Sequence, residues 1–431
     1  MKVLVLSQYW HPENGVPQRR WEWLTKILIE AGHEVVVVAP PPHYKRKVSI
    51  RHWFEERGYR TSFRHSIGPN GETVLRSGFF PSGRSMTRKI FNQAWTALTM
   101  TGGIIRKQGM LRSYQPDLVI GTVPALPTAA VTYLAASRFN VPYVIDLRDA
   151  WPSLFRESAE WNTGTGKPSL RERVFSRGPF QLLVFITERT LEFVLRRGSG
   201  IITTSERLTQ TLMKELSSPI TTVRNVFPPA MKTANLNQSS AGAPGRHLNV
   251  LYAGTLGRAQ KLENALRAAA IAEKEDVHIE LKFIGEGATW DNLRDVAQTL
   301  GVHLELEHQK SLEELDYYYQ WADTALVHLT DWESLRSAIP SKTYELMENK
   351  IHISGVVQGE PATLIQEFEA GDVIPPNDPE ALARLWVKLA QDRSLLDIGD
   401  RAQLWVRDQR EGVAPRCFLT LLEQIAGSNE D

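Results

Sequence analysis

The stretch "KVLVLSQYWHPENGVPQRRWEWLTKILIEAGHEVVVVAP", residues 2–40, carries the alternation that decides the fold. "KVLVLS" is a short apolar run of strand type, and "QYWHPENGVP" is a loop. In "QRRWEWLTKILIEAG", Trp21, Leu24, Ile27 and Leu28 fall on one helical face, and Gly32 closes the helix before a second apolar run, "HEVVVVAP". Two apolar strands joined by an amphipathic helix make a βαβ unit, whose strands are parallel.

Outward from it, "DLVIGT" (117–122), "YVIDLRD" (143–149) and "GIITTSE" (200–206) are further short apolar runs that end in polar or small residues, with helical patterns between them. The economical architecture is a parallel sheet with helices on both faces. Residues 233–246, "TANLNQSSAGAPGR", are poor in apolar side chains and read as a linker. After it "HLNVLYAGTLG", "HIELKFIGEG", "TALVHLT" and "IHISGVV" repeat the pattern. The expected organisation is α/β throughout: an N-terminal doubly wound domain over 1–232, the linker, and a second one over 247–405, with a C-terminal helix at about 406–431 packing back on the first. Two such domains would set their ligand loops facing one another across a cleft.

A chain of 431 residues suits two domains. Lys plus Arg number 50 against 49 Asp plus Glu, a balance that argues against a general nucleic-acid binder. Cys417 stands alone, so neither an internal disulfide nor a cysteine-based zinc site can form. The apolar run at the N-terminus is too short for a signal-peptide core, and no stretch is long enough to span a bilayer, so a cytoplasmic protein is expected. Residues 44–113 break the pattern, interleaving arginines and lysines with Trp53, Phe54, Phe63, Phe79, Phe80, Phe91 and Trp95. Within them "SMTRKIFNQAWTALTMTGGIIRKQGM" is basic at both ends and apolar in the middle. It reads equally as a membrane-interface or lipid-acceptor surface and as a core helix with solvated flanks.

Three segments could carry chemistry in the second half. In "YAGTLGRAQKLENALRAA" a strand ends in Gly254 and Gly257, followed by Arg258 and Lys261 ahead of a helix, a pattern suited to a diphosphate and equally to a plain strand-to-helix turn. "FIGEG" places Gly285 and Gly287 after the next strand. In "SAIPSKTYELMEN" Pro340 sets a helix start, where unpaired N–H groups, the helix dipole and Lys342 favour an anion beside Ser341. Glu345, one turn on, could take sugar hydroxyls, while the alternative is a capped helix with surface charges. In the first half Gly15 precedes Arg19 and Arg20, and "IDLRDAWPS" ends a strand with Asp146, Arg148 and Asp149, either a substrate wall or a buried ion pair. A single glycine is not a dinucleotide fingerprint. No Asp-x-Asp, no paired histidine spacing, no Gly-x-Ser-x-Gly and no P-loop occurs, so electrostatic, metal-free stabilisation of a leaving diphosphate is what the residues favour.

Taken together these segments, with "LEELDYYYQWADTALVHL" and "GEPATLIQEFEAGDVIPPNDPEALA", resemble the retaining glycosyltransferases of the GT-B type in family four, closest to the branch that builds bacterial surface polysaccharides and includes aminosugar and deoxysugar transferases. The resemblance covers nearly the whole chain. It implies that the second domain binds a nucleotide-diphosphate sugar, with Arg258 and Lys261 as catalytic cations on the diphosphate and Glu345 on the ribose. Gly257, Gly285, Ser341 and Lys342 would lie beside them, and Gly15 would let the first domain's loop approach the donor. Arg19 and Asp149 would face a glycan or lipid-linked acceptor, with 44–113 turned to the acceptor or a membrane, and no cofactor, metal or nucleic acid is implied. At two positions the chain departs from the family: Ser337 replaces a common carboxylate, and Thr122, Val123 and Pro124 occupy the region of the active-site histidine. A nucleotide-sugar 2-epimerase and a non-catalytic nucleotide-sugar-binding partner of a polysaccharide assembly complex are the alternatives.

Overall fold

A computed structural model describes residues 1–13, 15–42, 48–83, 86–151, 179–228, 245–310 and 312–427. The linker at 233–244, Pro152 and Ser153 of "IDLRDAWPS", and 44–47 with Arg84 and Ser85 of the basic-aromatic segment lie outside these residues. The chain forms two α/β units, each with its own parallel sheet and apolar core.

The first unit draws its described residues from 1–151, 179–227 and 413–427. Its strands are β1 (Lys2–Leu6), β2 (Glu34–Ala39), β3 (His65–Ile67), β4 (Thr73–Arg76), β5 (Leu118–Val123), β6 (Tyr143–Leu147), β7 (Gly200–Thr203) and β8 (Ile220–Thr222), in the order β3-β4-β2-β1-β5-β6-β7-β8. Val3 pairs with Val35 on one side and Leu118 on the other, and every neighbour is parallel except β3, which runs antiparallel to β4 at the edge. Leu4, Leu6, Val36, Val38, Val119 and Ile145 are fully buried, the expected state of strands covered by helices on both faces. The helix Val16–Glu30 buries Trp21, Leu24, Ile27 and Leu28 as its spacing requires, and ends before Gly32 in a left-handed turn at φ 79°. The helix Ala414–Gly427 belongs to this unit, with Leu421 and Ile425 beside Gly200 of β7.

In the basic-aromatic segment the helix Met86–Ile105 contributes to the core on one side, as the core-helix alternative requires. Asn92, Thr96, Ala97, Met100 and Ile104 are buried on one side, while Phe91, Trp95, Leu98 and Ile105 are exposed on the other. Ahead of it, the β3–β4 hairpin turns at Gly68 and Gly71, a pairing the sequence reading did not anticipate.

The second unit draws on 228 and 245–412. Its sheet of β9 (His247–Ala253), β10 (His278–Ile284), β11 (Leu304–Glu307), β12 (Thr324–His328), β13 (Ile353–Val356) and β14 (Gly371–Ile374) is parallel in the order β11-β10-β9-β12-β13-β14. Phe283, Leu281, Leu266, Trp386 and Leu389 make its core. In each sheet the strand order reverses beside the first strand of its unit: between β1 and β5, and between β9 and β12. In open α/β sheets ligands bind outside the strand carboxyl ends at such a reversal.

Candidate functional site

In the second unit the loops after β9, β10 and β12 leave the carboxyl edge side by side. Gly254 N–H donates to Ile284 O at 2.9 Å, Leu256 N–H to Glu286 O at 2.9 Å, and Thr330 N–H to Ala259 O at 2.8 Å. A Cβ on Gly285 would stand 1.7 Å from Gly254 O, and one on Gly287 1.8 Å from Leu256 O. These two glycines are therefore required by loop-on-loop packing, whatever a ligand needs. Gly257 differs: at φ −110°, ψ 172° its backbone is extended and open to any residue. It precedes the 3-10 turn Arg258–Gln260, after which Lys261 takes a left-handed conformation at φ 40° and its ammonium donates to Asn377 Oδ1 at 2.6 Å.

His328, at the end of β12, lies beneath this turn. It is buried, and its Nε2 stands 3.1 Å from Asn264 Nδ2. Burial pushes its pKa down to about 3, with the Lys261 charge acting in the same direction, so the ring is neutral. The sequence reading passed over it, although a polar residue closing the apolar run "TALVHL" is a signal.

The helix Ser341–Glu348 starts from the same edge, after the 3-10 turn Glu333–Ser337. Pro340 occupies the N-cap position and, having no polar side chain, gives the helix no side-chain cap of its own. Lys342 Nζ lies 3.1 Å from each carboxylate oxygen of Glu345 and donates to the Tyr319 hydroxyl at 2.8 Å, while that hydroxyl donates to Glu345 Oε1 at 3.2 Å. Lys342 also lies over the Tyr319 ring, 5.4 Å from its centroid. Glu345 is 7 % exposed, so its charge is carried by this network and not by water. The far end of the helix is anchored: Arg410 grips Glu348, with one contact of 2.9 Å, and Asn349 Nδ2 donates to Glu345 O at 2.8 Å. From Thr343 to Asn349 the helix is buried, which excludes a capped helix on the surface. Ser337 Oγ donates to Ser334 O at 3.0 Å within its turn, and Glu333 pairs with Arg336 at 2.9 Å.

The first unit is built differently. Arg20 and Asp146 form an ion pair 2.9 Å long that is wholly buried. Trp21 Nε1 donates to the same carboxylate at 2.8 Å, and Arg20 Nη1 donates to Val223 O at 2.8 Å and Asn225 Oδ1 at 3.1 Å. The buried ion pair weighed for "IDLRDAWPS" is thus realised at Asp146. Arg148, two residues on, keeps its Nε and Nη1 out of solvent with no hydrogen-bond partner, and burial lowers its pKa to about 10. Nothing in the local sequence distinguishes it from a surface arginine. Asp149 is exposed at the end of β6. Gly15, extended at φ −123°, is the N-cap of the first helix, and the Arg19 guanidinium lies 4.7 Å from the centroid of the Phe227 ring. Among the described residues no group of three or more His, Cys, Asp or Glu side chains is placed to hold a metal ion.

The structure therefore joins Gly257, Arg258, Lys261 and Gly285 in one loop cluster and Lys342 with Glu345 in one network at the same edge of the second sheet. Gly15, Arg19 and Asp149 lie in the first unit.

Residues 15–226 match the family described as Glycosyl transferase 4-like domain, and residues 235–405 match Glycosyl transferases group 1. An exopolysaccharide phosphotransferase of Streptomyces coelicolor is 24% identical over 73% of this chain, and the chain spans only 29% of that protein. A glycosyl transferase assigned to colanic acid biosynthesis in Escherichia coli K12, WcaI, is 23% identical over 70% of each chain. Among solved structures, Anabaena HepE, crystallised with UDP and glucose, superposes over the full length of both chains with a TM-score of 0.62 at 14% identity.

Proposed function

Because this chain belongs to the glycosyl transferases, we propose that it moves a sugar from a nucleotide-diphosphate donor to a glycan or lipid-linked acceptor in cell-surface polysaccharide synthesis, at the inner face of the cell membrane. The observation that carries this reading is the Lys342–Tyr319–Glu345 network at the start of the helix that follows β12, beside the strand-order reversal of the second sheet. A carboxylate that accepts hydrogen bonds and is held rigid by an ammonium suits a pair of ribose hydroxyls. Arg258 and Lys261, on the adjacent loop, suit the diphosphate, and helix N–H groups reinforce them without reorganisation.

Charge develops on the diphosphate as the anomeric bond breaks, so groups placed there act more strongly on the transition state than on the bound donor. In the retaining course proposed here, the acceptor hydroxyl attacks from the face the diphosphate leaves, and its proton passes to a diphosphate oxygen. The new glycosidic bond forms as the old one breaks, with no covalent enzyme intermediate. Arg19 and Asp149, and the buried guanidinium of Arg148, are read as the acceptor side. The Anabaena protein was crystallised with UDP and with UDP-glucose, which supports a uridine-type donor here.

The test is to incubate the chain with labelled nucleotide sugars and follow nucleotide release with and without acceptor glycans. Acceptor-dependent release with retained anomeric configuration in the product is expected. Epimerised nucleotide sugar without acceptor, or binding without release, would replace this reading by one of its alternatives.

A further inference from the structure

The inner side of the helix Met86–Ile105 fixes it to the first sheet's unit. Thr96, Met100 and Ile104 are buried, Thr99 Oγ1 donates to Gly78 O at 2.8 Å, and Gln8 Nε2 reaches Gln93 O at 3.2 Å. On its outer side Phe91 and Trp95 each touch one further ring, Phe80 and Trp53, at 6.4 Å between centroids, yet Phe91, Trp95, Leu98 and Ile105, spaced four, three and seven residues apart, form one apolar stripe that is 61, 37, 67 and 48 % exposed. Four large apolar side chains aligned on one exposed face are an interaction surface.

The charge around the stripe identifies the partner. Residues 73–116 contain seven Lys or Arg and not one Asp or Glu, in a chain whose charges balance overall. Arg88 and Lys89 stand at one end of the helix, and Arg106 and Lys107 follow the other. Glu55 and Glu56, on the helix Ile50–Glu55 and the turn after it, are engaged by Arg51 and His52, and Phe54 of that helix adds another exposed ring. Between the segment Tyr59–Thr61 and the helix Met86–Ile105 lies a cavity of about 500 Å³ walled by Tyr59, Arg60, Trp95, Leu98, Gly102 and Arg106. It has the volume of an ordinary ligand pocket, with an apolar floor and two guanidinium groups. No described helix is long and apolar enough to cross a membrane.

We propose that this face is an in-plane docking surface for an anionic phospholipid bilayer. The stripe enters the headgroup–acyl boundary, and the cavity receives one phospholipid headgroup, its phosphate held by Arg60 and Arg106. An apolar stripe between basic ends is the pattern of interfacial helices, and arginine's planar fork matches phosphate oxygens. The inference rests on the reading of a transferase that meets a lipid-linked acceptor, and it names the surface that brings the enzyme to it.

The test is co-sedimentation of the full chain with phosphatidylcholine vesicles made with and without phosphatidylglycerol, at low and high salt. Sedimentation with the anionic vesicles, weakened by salt, is expected. Leu98→Glu and Phe91→Glu, both at exposed positions that leave the fold intact, should lower partitioning by more than about ten-fold, and Arg60→Gln or Arg106→Gln by about five-fold each. Leu404→Glu, at an exposed apolar residue of the second unit, should sediment as wild type. Equal partitioning into both vesicle types, or wild-type sedimentation of Leu98→Glu, would overturn the proposal. So would binding of a dispersed isoprenyl phosphate without vesicle binding, since the cavity would then take an acceptor lipid. Nucleotide binding, measured in parallel without lipid, reports on the transferase reading separately.

Discussion

At the strand-order reversal of the second sheet, the loops after β9 and β10 approach so closely that Gly285 and Gly287 leave no room for a Cβ, and the charged groups there lie at the edge of the fold. At that of the first sheet, the loop after β1 is filled by Trp10, 6.3 Å from Trp21, and the nearby charges of Arg20 and Asp146 are sealed from water. One topology thus serves two purposes. In the second unit Lys261 and Lys342 are held by hydrogen bonds yet keep contact with solvent; in the first, Arg20 and Asp146 pin the scaffold from inside.

That difference can be broken most severely in the first unit. Asp146→Ala strands the Arg20 guanidinium in the interior and should cost about 3–5 kcal/mol in chemical denaturation of the full chain, whereas the double change Arg20→Met with Asp146→Leu should recover most of that loss. If the single and double variants were equally unstable, the pair would not be the pin. Arg258→Ala and Lys261→Ala should act in the opposite sense, lowering turnover roughly 10²–10³-fold with an unchanged melting temperature. Wild-type rates in both would remove the diphosphate assignment. Glu345→Gln keeps the shape of its network but loses the charge, and should weaken nucleotide affinity about ten-fold, read by titration calorimetry.

The most gradual effect concerns His328. With its folded pKa near 3 and an unfolded value of 6.5, the unfolded chain binds the extra proton between those limits. The contribution is therefore intact above pH 6.5 and declines by about 1.4 kcal/mol per pH unit as pH falls through that window. The difference between wild type and His328→Gln in stability against pH should carry this slope; parallel curves would mean that the ring is solvated.

The sequence made legible what depends on near neighbours: the βαβ opening, the strands from β5 to β7, those of the second half that are long and apolar, and the special character of "SAIPSKTYELMEN". It left hidden what depends on distant ones. β3 is exposed along its length and so carries no apolar period, and β11 and β14 are four-residue strands with every position only partly buried. Arg20 meets Asp146 across 126 positions, and no spacing rule anticipates that contact. Tyr319, 23 residues before Lys342, completes the Lys342–Glu345 network from a neighbouring helix, and its aromatic run "DYYYQW" gives no hint of which ring turns inward. Gly285 was legible as a glycine with a purpose, but that purpose is contact with Gly254, visible only when the two loops are seen side by side.

The central claim is that the helix start at Ser341 belongs to a nucleotide site. Melting of wild type and of Lys342→Met in the presence of UDP, GDP and ADP tests it most directly, since a ligand bound only by the folded chain at a hundred times its Kd adds about 2.7 kcal/mol of stability. One nucleotide should raise the wild-type melting temperature by a few degrees and leave Lys342→Met where it was. No shift with any of the three, or an equal shift in both proteins, would contradict the account.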